Sequence, residues 1–230
     1  MRIVIFGANG ATGRLLTRRA LEAGHTVVAV TRHPEQFPIS HAALTVAGAD
    51  VRDADAVTAA VDGADAVLST LGVTFTMDPV DTYSVGAGNI VAAMRKTGVD
   101  RLAVVSSSAI ADHPGRTDMP VALRLVQPVI THIFGKTLYA DMRRMEAIVT
   151  GSGLDWTIVR PSGLFDLPEV TEYTAGQRDP VGAFTSRTDL ADYLLRLAES
   201  PETRATVTVS TTVDTPSMWQ LLRREAFKSA

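Results

Sequence analysis

Ile3, Val4, Ile5 and Phe6 form a continuous apolar run that stops at Gly7, the pattern of a strand buried on both faces of a parallel sheet. A helical pattern follows at once. From Ala11 to Ala23, the apolar side chains Leu16, Ala20 and Ala23 share one face, Arg14, Arg18 and Glu22 lie elsewhere, and Gly24 closes the helix. The alternation then repeats. Strands are expected at Thr26–Val30, Leu44–Ala47, Ala66–Ser69 and Leu102–Val105, with a helix over Asp53–Val61 and another marked by Tyr83, Ala87, Ile90, Val91 and Met94. This βαβα rhythm, free of repeats and low-complexity tracts, predicts an α/β fold of the Rossmann type: a doubly wound parallel sheet with right-handed crossovers.

After Ser108 the rhythm loosens. Asp112–Met119 carries Pro114, Gly115 and two aspartates and reads as an exposed loop, and Pro120 opens a helix that Pro128 bends or interrupts. Leu138, Met142, Met145 and Val149 then give a core-facing stripe to a helix over Thr137–Thr150. Trp156–Val159 and Thr206–Ser210 read as strands, Thr188 and Asp189 open a helix with Leu190, Leu194 and Leu197 inward, and Thr215–Pro216 opens a last helix through Phe227. Between them, Phe165–Phe184 is rich in Gly, Pro and charge, the composition of a lid or substrate loop. No linker divides the chain, so residues 1–230 are expected to form one domain, its substrate side drawn mainly from 108–136 and 162–230.

The 230 residues, 46% hydrophobic and 20% charged, suffice for a sizeable core. With 22 basic against 25 acidic residues and a net charge of -3, nothing favours a broad polyanion surface, which argues against nucleic acid and anionic membrane as partners. The absence of cysteine removes disulfides, thiolate metal sites and cysteine nucleophiles together, and it suits a reducing compartment. No apolar stretch approaches the roughly 20 residues that span a bilayer, and Met1–Phe6 is too short for a signal sequence. A cytoplasmic monomer or small homo-oligomer acting on a small molecule is expected.

Gly7, Gly10 and Gly13 of GANGATG stand at the turn between the first strand and the first helix. That context gives the spacing its meaning. Gly7 permits the sharp turn, Gly10 lets the backbone approach a pyrophosphate, Gly13 lets the helix pack closely on the sheet, and the helix N-terminus offers N–H donors to the anion. Asn9, Ala11 and Thr12 complete this dinucleotide-binding loop. An NAD site usually places an acid after the second strand, ~20 residues beyond the motif, to hold the ribose 2'-hydroxyl. Here Arg32 lies 19 residues beyond Gly13, and a guanidinium suits a 2'-phosphate, so NADP(H) is favoured over NAD(H), with Glu35 near enough to be the missing acid. Asp50 and Val51 follow the third strand; Asp50 serves either the adenine amino group or, like Asp53, the start of the next helix.

GANGATG, ADVRD (49–53), STLG (69–72), VVSSS (104–108) and SGLDWTIVRP (152–161) together resemble the atypical short-chain dehydrogenase/reductase superfamily. The likeness is to its NAD(P)H-binding branch, typified by the flavin reductase also known as biliverdin reductase B, and it covers nearly the whole chain. It implies that Leu71 and Gly72 line the nicotinamide ribose. It also implies that Ser106, Ser107 and Ser108, with Pro161, Ser162 and Gly163, border the nicotinamide.

Ordinary members of the superfamily use Tyr-x-x-x-Lys, in which the ammonium lowers the phenol pKa. Counted back from Glu146, those two positions fall on Leu138 and Met142, both on the core stripe. Tyr139 and Arg143 form a similar pair displaced by one residue, rotated by ~100° and expected to aim elsewhere, half-exposed, with Glu146 on a polar face. The candidate proton donors are therefore Ser108, the serine that the resemblance places beside the nicotinamide, and the displaced Tyr139. Three serines closing a strand are equally ordinary turn chemistry. The histidines show no metal spacing, and His113 is a further proton source in its loop.

The function these features favour is an NADPH-dependent reductase passing hydride to a small conjugated acceptor such as a flavin or quinone, which tolerates a weak protein acid. The alternatives are an NADP-binding sensor without turnover and an NAD(P)-dependent isomerase or dehydratase. Phe165, Tyr173 and Phe184, with Arg178 and Arg187, are offered as the acceptor's aromatic and cationic contacts, or else as anchors of the loop to the core.

Overall fold

The computed structural model describes residues 1–74, 76, 78–118, 135–200 and 203–216. Its strands are β1 (Arg2–Phe6), β2 (Thr26–Thr31), β3 (Leu44–Gly48), β4 (Ala66–Ser69), β5 (Arg101–Val105), β6 (Asp155–Pro161), β7 (Gly163–Phe165), β8 (Thr174–Gly176), β9 (Phe184–Ser186) and β10 (Ala205–Ser210). Its α-helices are α1 (Ala11–Glu22), α2 (Ala54–Val61), α3 (Thr82–Thr97), α4 (Lys136–Thr150) and α5 (Arg187–Glu199). Eight strands form one sheet in the order β3-β2-β1-β4-β5-β6-β10-β8, parallel except for the last pair. This is the doubly wound Rossmann arrangement, and its strand order reverses between β1 and β4.

Strand periodicity sorts the core into two layers. Val4, Phe6, Val28, Val30, Val67, Leu102 and Val104 face α2, α3 and α4, while Ile3, Ile5, Val27, Ala29, Ala66, Leu68 and Ala103 face α1 and α5. Continuous apolar runs follow because both faces of each central strand are covered. Polar groups seal the helix ends. Asp53 caps α2 by accepting the Asp55 and Ala56 N–H groups at 3.1 and 3.0 Å. The buried Arg101 on β5 donates from Nε to the Leu197 carbonyl near the end of α5 at 2.7 Å.

The structure departs from the sequence reading on the C-terminal side. Phe165–Phe184 is no structureless loop: β7 pairs with β9 in a small parallel sheet, and β8 joins the edge of the main sheet beside β10. Runs of three residues are too short to show a hydrophobic period, so only their neighbours reveal them. Ser186, not Thr188 or Asp189, caps α5, its hydroxyl accepting from both of their N–H groups. The buried Asp189 instead accepts from the Thr171 N–H and hydroxyl at 2.8 and 2.9 Å. The helix expected around Pro120 and Pro128 and the one expected through Phe227 lie outside the described residues. Among the described residues no helix is long and apolar enough to cross a membrane.

Candidate active site

A cleft of about 1160 Å³ runs along the C-terminal ends of the parallel strands, from the β1–α1 turn across β4 and β5 to β6. Gly7, Asn9, Gly10, Ala11 and Thr12 form its floor at one end. Gly7 has φ +72°, and a Cβ there would come within 2.7 Å of the Thr70 carbonyl oxygen, so β1 must turn on glycine to pass β4. Gly13 alone of the loop's expected residues does not line the cleft. A Cβ on it would lie 2.3 Å from the Gly7 oxygen, and its contribution is the close seating of α1 beneath the turn. Gly10 precedes α1 without any side-chain cap, which leaves the first-turn N–H groups to the cleft.

Arg32, at the end of β2, is exposed on the same wall. Glu35 does not reach it: its carboxylate lies 3.5 Å from His33 Nδ1 and does not line the cleft. Asp50 lines the cleft and accepts the Arg52 N–H at 2.9 Å, a turn that leaves helix capping to Asp53. The Val51 carbonyl is anchored by Asn89 Nδ2 at 2.9 Å, and Gly86 on α3 leaves the room that the Val51 side chain fills. These residues fit a dinucleotide. A glycine turn without room for side chains, open N–H groups and an exposed cation together suit a phosphate-rich ligand.

At the far end Leu71, Gly72, Pro161, Ser162 and Gly163 line the cleft, and the three serines after β5 divide their work. Ser106 lines the cleft, and its Oγ is buried with no hydrogen-bond partner among the described residues. Ser107 Oγ accepts the Ala109 N–H at 3.2 Å and meets the Tyr139 hydroxyl. Ser108 Oγ stands 3.4 Å from Ser162 Oγ, and both accept from Arg116 Nη2, at 3.1 and 2.7 Å.

Tyr139 is the main correction to the sequence reading. It does not aim elsewhere; it lines the cleft together with Leu138 and Met142. A rotation of ~100° moves a side chain only about a quarter-turn around α4, and this cleft wall is wide enough to receive both positions. Burial pushes the phenol above its ordinary pKa, with the Ser107 hydrogen bond working against the shift. Arg143, four residues on, is exposed and donates from Nε to the Ile110 carbonyl at 3.2 Å. Glu146 is not on a polar face: it is buried and takes a two-pronged contact from Arg160 at 2.9 and 2.5 Å.

The expected acceptor contacts divide as well. Phe184 and Arg187 line the cleft, whereas Phe165 is buried behind Phe184 with ring centroids 6.1 Å apart, and Arg187 pairs with Asp166 at 2.8 Å. Tyr173 faces α5, its hydroxyl donating to Asp192 at 2.7 Å, and Arg178 also lies off the cleft. His113 offers no proton to the cleft, since its ring nitrogens face Asp179 Oδ1 at 3.1 Å and the Ser108 carbonyl at 3.0 Å. Arg116 was invisible to sequence reasoning, because it sits in a loop without period and 46 residues from its partner Ser162.

Comparison with known proteins agrees with this geometry. The family model for NAD(P)H-binding proteins matches residues 7–201. An uncharacterized protein of Mycobacterium tuberculosis strain H37Rv is 36% identical over 152 residues, 64% of this chain but only 17% of that much longer protein. A short-chain dehydrogenase/reductase from Veillonella parvula, solved with NADP, superposes with a TM-score of 0.76 at 22% identity, covering 94% of this chain and 99% of that one. ChuY, an anaerobillin reductase from Escherichia coli O157:H7, superposes with a TM-score of 0.73 at 22% identity over 94% of this chain and all of that one (100%). At this identity the two structures establish a shared fold.

Proposed function

Since the chain belongs to the NAD(P)H-binding family, we propose that it is an NADPH-dependent reductase acting on a small conjugated acceptor, with Tyr139 as proton donor. The cleft supports the reading by its size. Drug-sized ligands occupy roughly 300–1,000 Å³, so about 1160 Å³ leaves room for a dinucleotide with the acceptor entering at one end. When bound, the reduced nicotinamide supplies the hydride. The loop from Gly7 to Thr12 and Arg32 would hold the phosphates, with Asp50 and Val51 at the adenine end and Leu71, Gly72, Ser106, Pro161 and Gly163 around the nicotinamide riboside.

The observation that carries the reading is the place of Tyr139 on the cleft wall, its hydroxyl hydrogen-bonded to Ser107. Its phenol is raised above the ordinary value, and the cation four residues on turns to a backbone carbonyl instead of facing it. Such a phenol is protonated at neutral pH and carries a proton at the cleft wall for a reduced acceptor. Ser107 orients the hydroxyl, and Ser108 completes the wall. Arg32, exposed and facing the cleft where an acid would select NAD, favours NADPH.

The test is NADPH oxidation with a panel of flavins, quinones and simple carbonyls. Steady turnover with conjugated acceptors is expected, faster than with simple carbonyls. Tight NADPH binding with no oxidation by any member would overturn the reductase reading in favour of a sensor, and product formed without net NADPH loss would point to an isomerase.

A further inference from the structure

Past Tyr139 the cleft ends among Ser108, Ser162, Leu164, Phe184, Arg116 and Arg187. Its two cations are both engaged by the protein itself. Arg116 Nη2 has two hydrogens, and Ser162 Oγ accepts one at 2.7 Å while Ser108 Oγ accepts the other at 3.1 Å. Asp179 adds the field of a carboxylate, opposing the fall in the guanidinium pKa that burial causes. Arg187, the first residue of α5, donates from Nη1 to Asp166 Oδ1 at 2.8 Å. Asp166 follows directly on β7. In the β7–β9 register Phe165 stands opposite Ser186, and the next pair in that register is Asp166 and Arg187, so strand pairing brings the acid to the base.

The same small sheet leaves apolar surface uncovered. Leu164, the central residue of β7, is 39% exposed and lines the cleft, whereas the other large hydrophobics exposed among the described residues, Met1, Val85 and Val213, do not. Phe184 on β9 lines it too, and its ring is braced. Phe165 packs edge-on to it at 6.1 Å, and a Cβ on Gly163 would come within 3.4 Å of Phe184 Cδ1, so glycine lets the β7 backbone lie close to the ring. A carboxylate or sulfonate entering here would shed water beside Leu164 and Phe184 and meet cations already taken, a loss that no new contact offsets. A neutral conjugated ring covers the exposed apolar surface without that loss.

We infer that this end of the cleft selects uncharged, apolar conjugated acceptors, with Leu164 and Phe184 as the contact surface and Asp166 excluding anions by occupying Arg187. The inference rests on the reductase reading, and within the conjugated acceptors it favours a neutral quinone over an acidic one. Asp166 does not itself line the cleft; it determines specificity through Arg187, by withholding a counter-charge from the wrong ligand.

The test is calorimetric titration of the full chain, saturated with NADP, at low ionic strength, using 2-naphthamide and its anionic counterpart 2-naphthoate. Naphthamide is expected to bind ~5-fold or more tightly than naphthoate, the scale of an ion desolvated without a new partner. Asp166→Asn should strengthen naphthoate binding ~3-fold, the scale of a half-exposed ion pair, with naphthamide within about twofold of the wild type. Most of that gain should be absent from Asp166→Asn/Arg187→Gln. Leu164→Thr should weaken naphthamide ~3-fold, as expected for losing part of a leucine's burial. Naphthoate binding as tightly as naphthamide in the wild type, or no binding of either, overturns the inference. So does an Asp166→Asn variant with unchanged naphthoate affinity, a gain that persists in the double variant, or a Leu164→Thr variant with unchanged naphthamide affinity. If NADPH oxidation proceeds with quinones while naphthoate binds as well as naphthamide, the inference fails and the reductase reading stands; if no acceptor oxidises NADPH while naphthamide still binds selectively, the reverse holds.

Discussion

The carboxylate of Asp141 on α4 accepts the backbone N–H of Tyr83, in the first turn of α3, at 2.8 Å, and the Ser84 N–H at 3.3 Å. One helix thus caps another. Asp81 precedes α3 but makes no side-chain cap, so the orphan donors of that helix are satisfied across the interface by a fully buried acid. The arrangement also fixes α4, two residues from Tyr139. Asp141→Ala should destabilise the protein by about 3 kcal/mol, since it strands buried donors that a charged acceptor had satisfied. Urea unfolding would measure it, and a loss below about 1 kcal/mol would show that water replaces the carboxylate there.

Gly13→Ala tests the seating of α1. The added methyl would meet the Gly7 oxygen at 2.3 Å and the Ala8 Cα at 2.7 Å, both backbone atoms that cannot swing aside. The helix must move away from the turn, so NADP affinity should fall by ~10-fold or more although Gly13 does not itself line the cleft. Titration with NADP, with circular dichroism to show an intact fold, reads the result. Unchanged affinity would mean that the turn relaxes without disturbing the phosphate end.

Arg32→Ala bears on cofactor choice. The wild type should bind NADPH more tightly than NADH, and the variant should lose most of the difference, ~1.5–3 kcal/mol for a charge-assisted phosphate contact. NADH affinity should stay nearly constant. Equal wild-type affinities for the two cofactors would remove the role assigned to Arg32.

Tyr139→Phe should lower the rate of acceptor reduction by ~10²-fold, the scale of a general acid, while NADPH binding is retained. A change of only a few fold would return the proton to water. Because burial raises the phenol above its ordinary pKa of 10.0, the competent form is the protonated one, present below that value and lost as pH rises through the shifted one. The wild-type rate should therefore show no loss attributable to Tyr139 until pH exceeds about 10, with the Phe variant flat over the same range. A descending limb near pH 8 that disappears in Tyr139→Phe would contradict the raised value.

Much of this protein was already readable along the chain. The runs Ile3–Phe6, Thr26–Val30 and Ala66–Ser69 announce buried parallel strands because both faces are covered, and the glycine turn declares itself because Gly7 and Gly13 answer to backbone geometry within a few residues. Local causes leave local signatures. What tertiary structure alone decided lies where partners come from distant segments. Arg116 meets Ser162 only because β5 and β6 are neighbours in the sheet, Tyr173 is drawn to Asp192 and away from the cleft, and β7, β8 and β9 exist only through their pairing. The direction of Tyr139 belongs to this second kind: helical periodicity ranks it beside the core stripe, but which side chains of α4 face the cleft depends on how that helix is held against α3, and Asp141 does the holding.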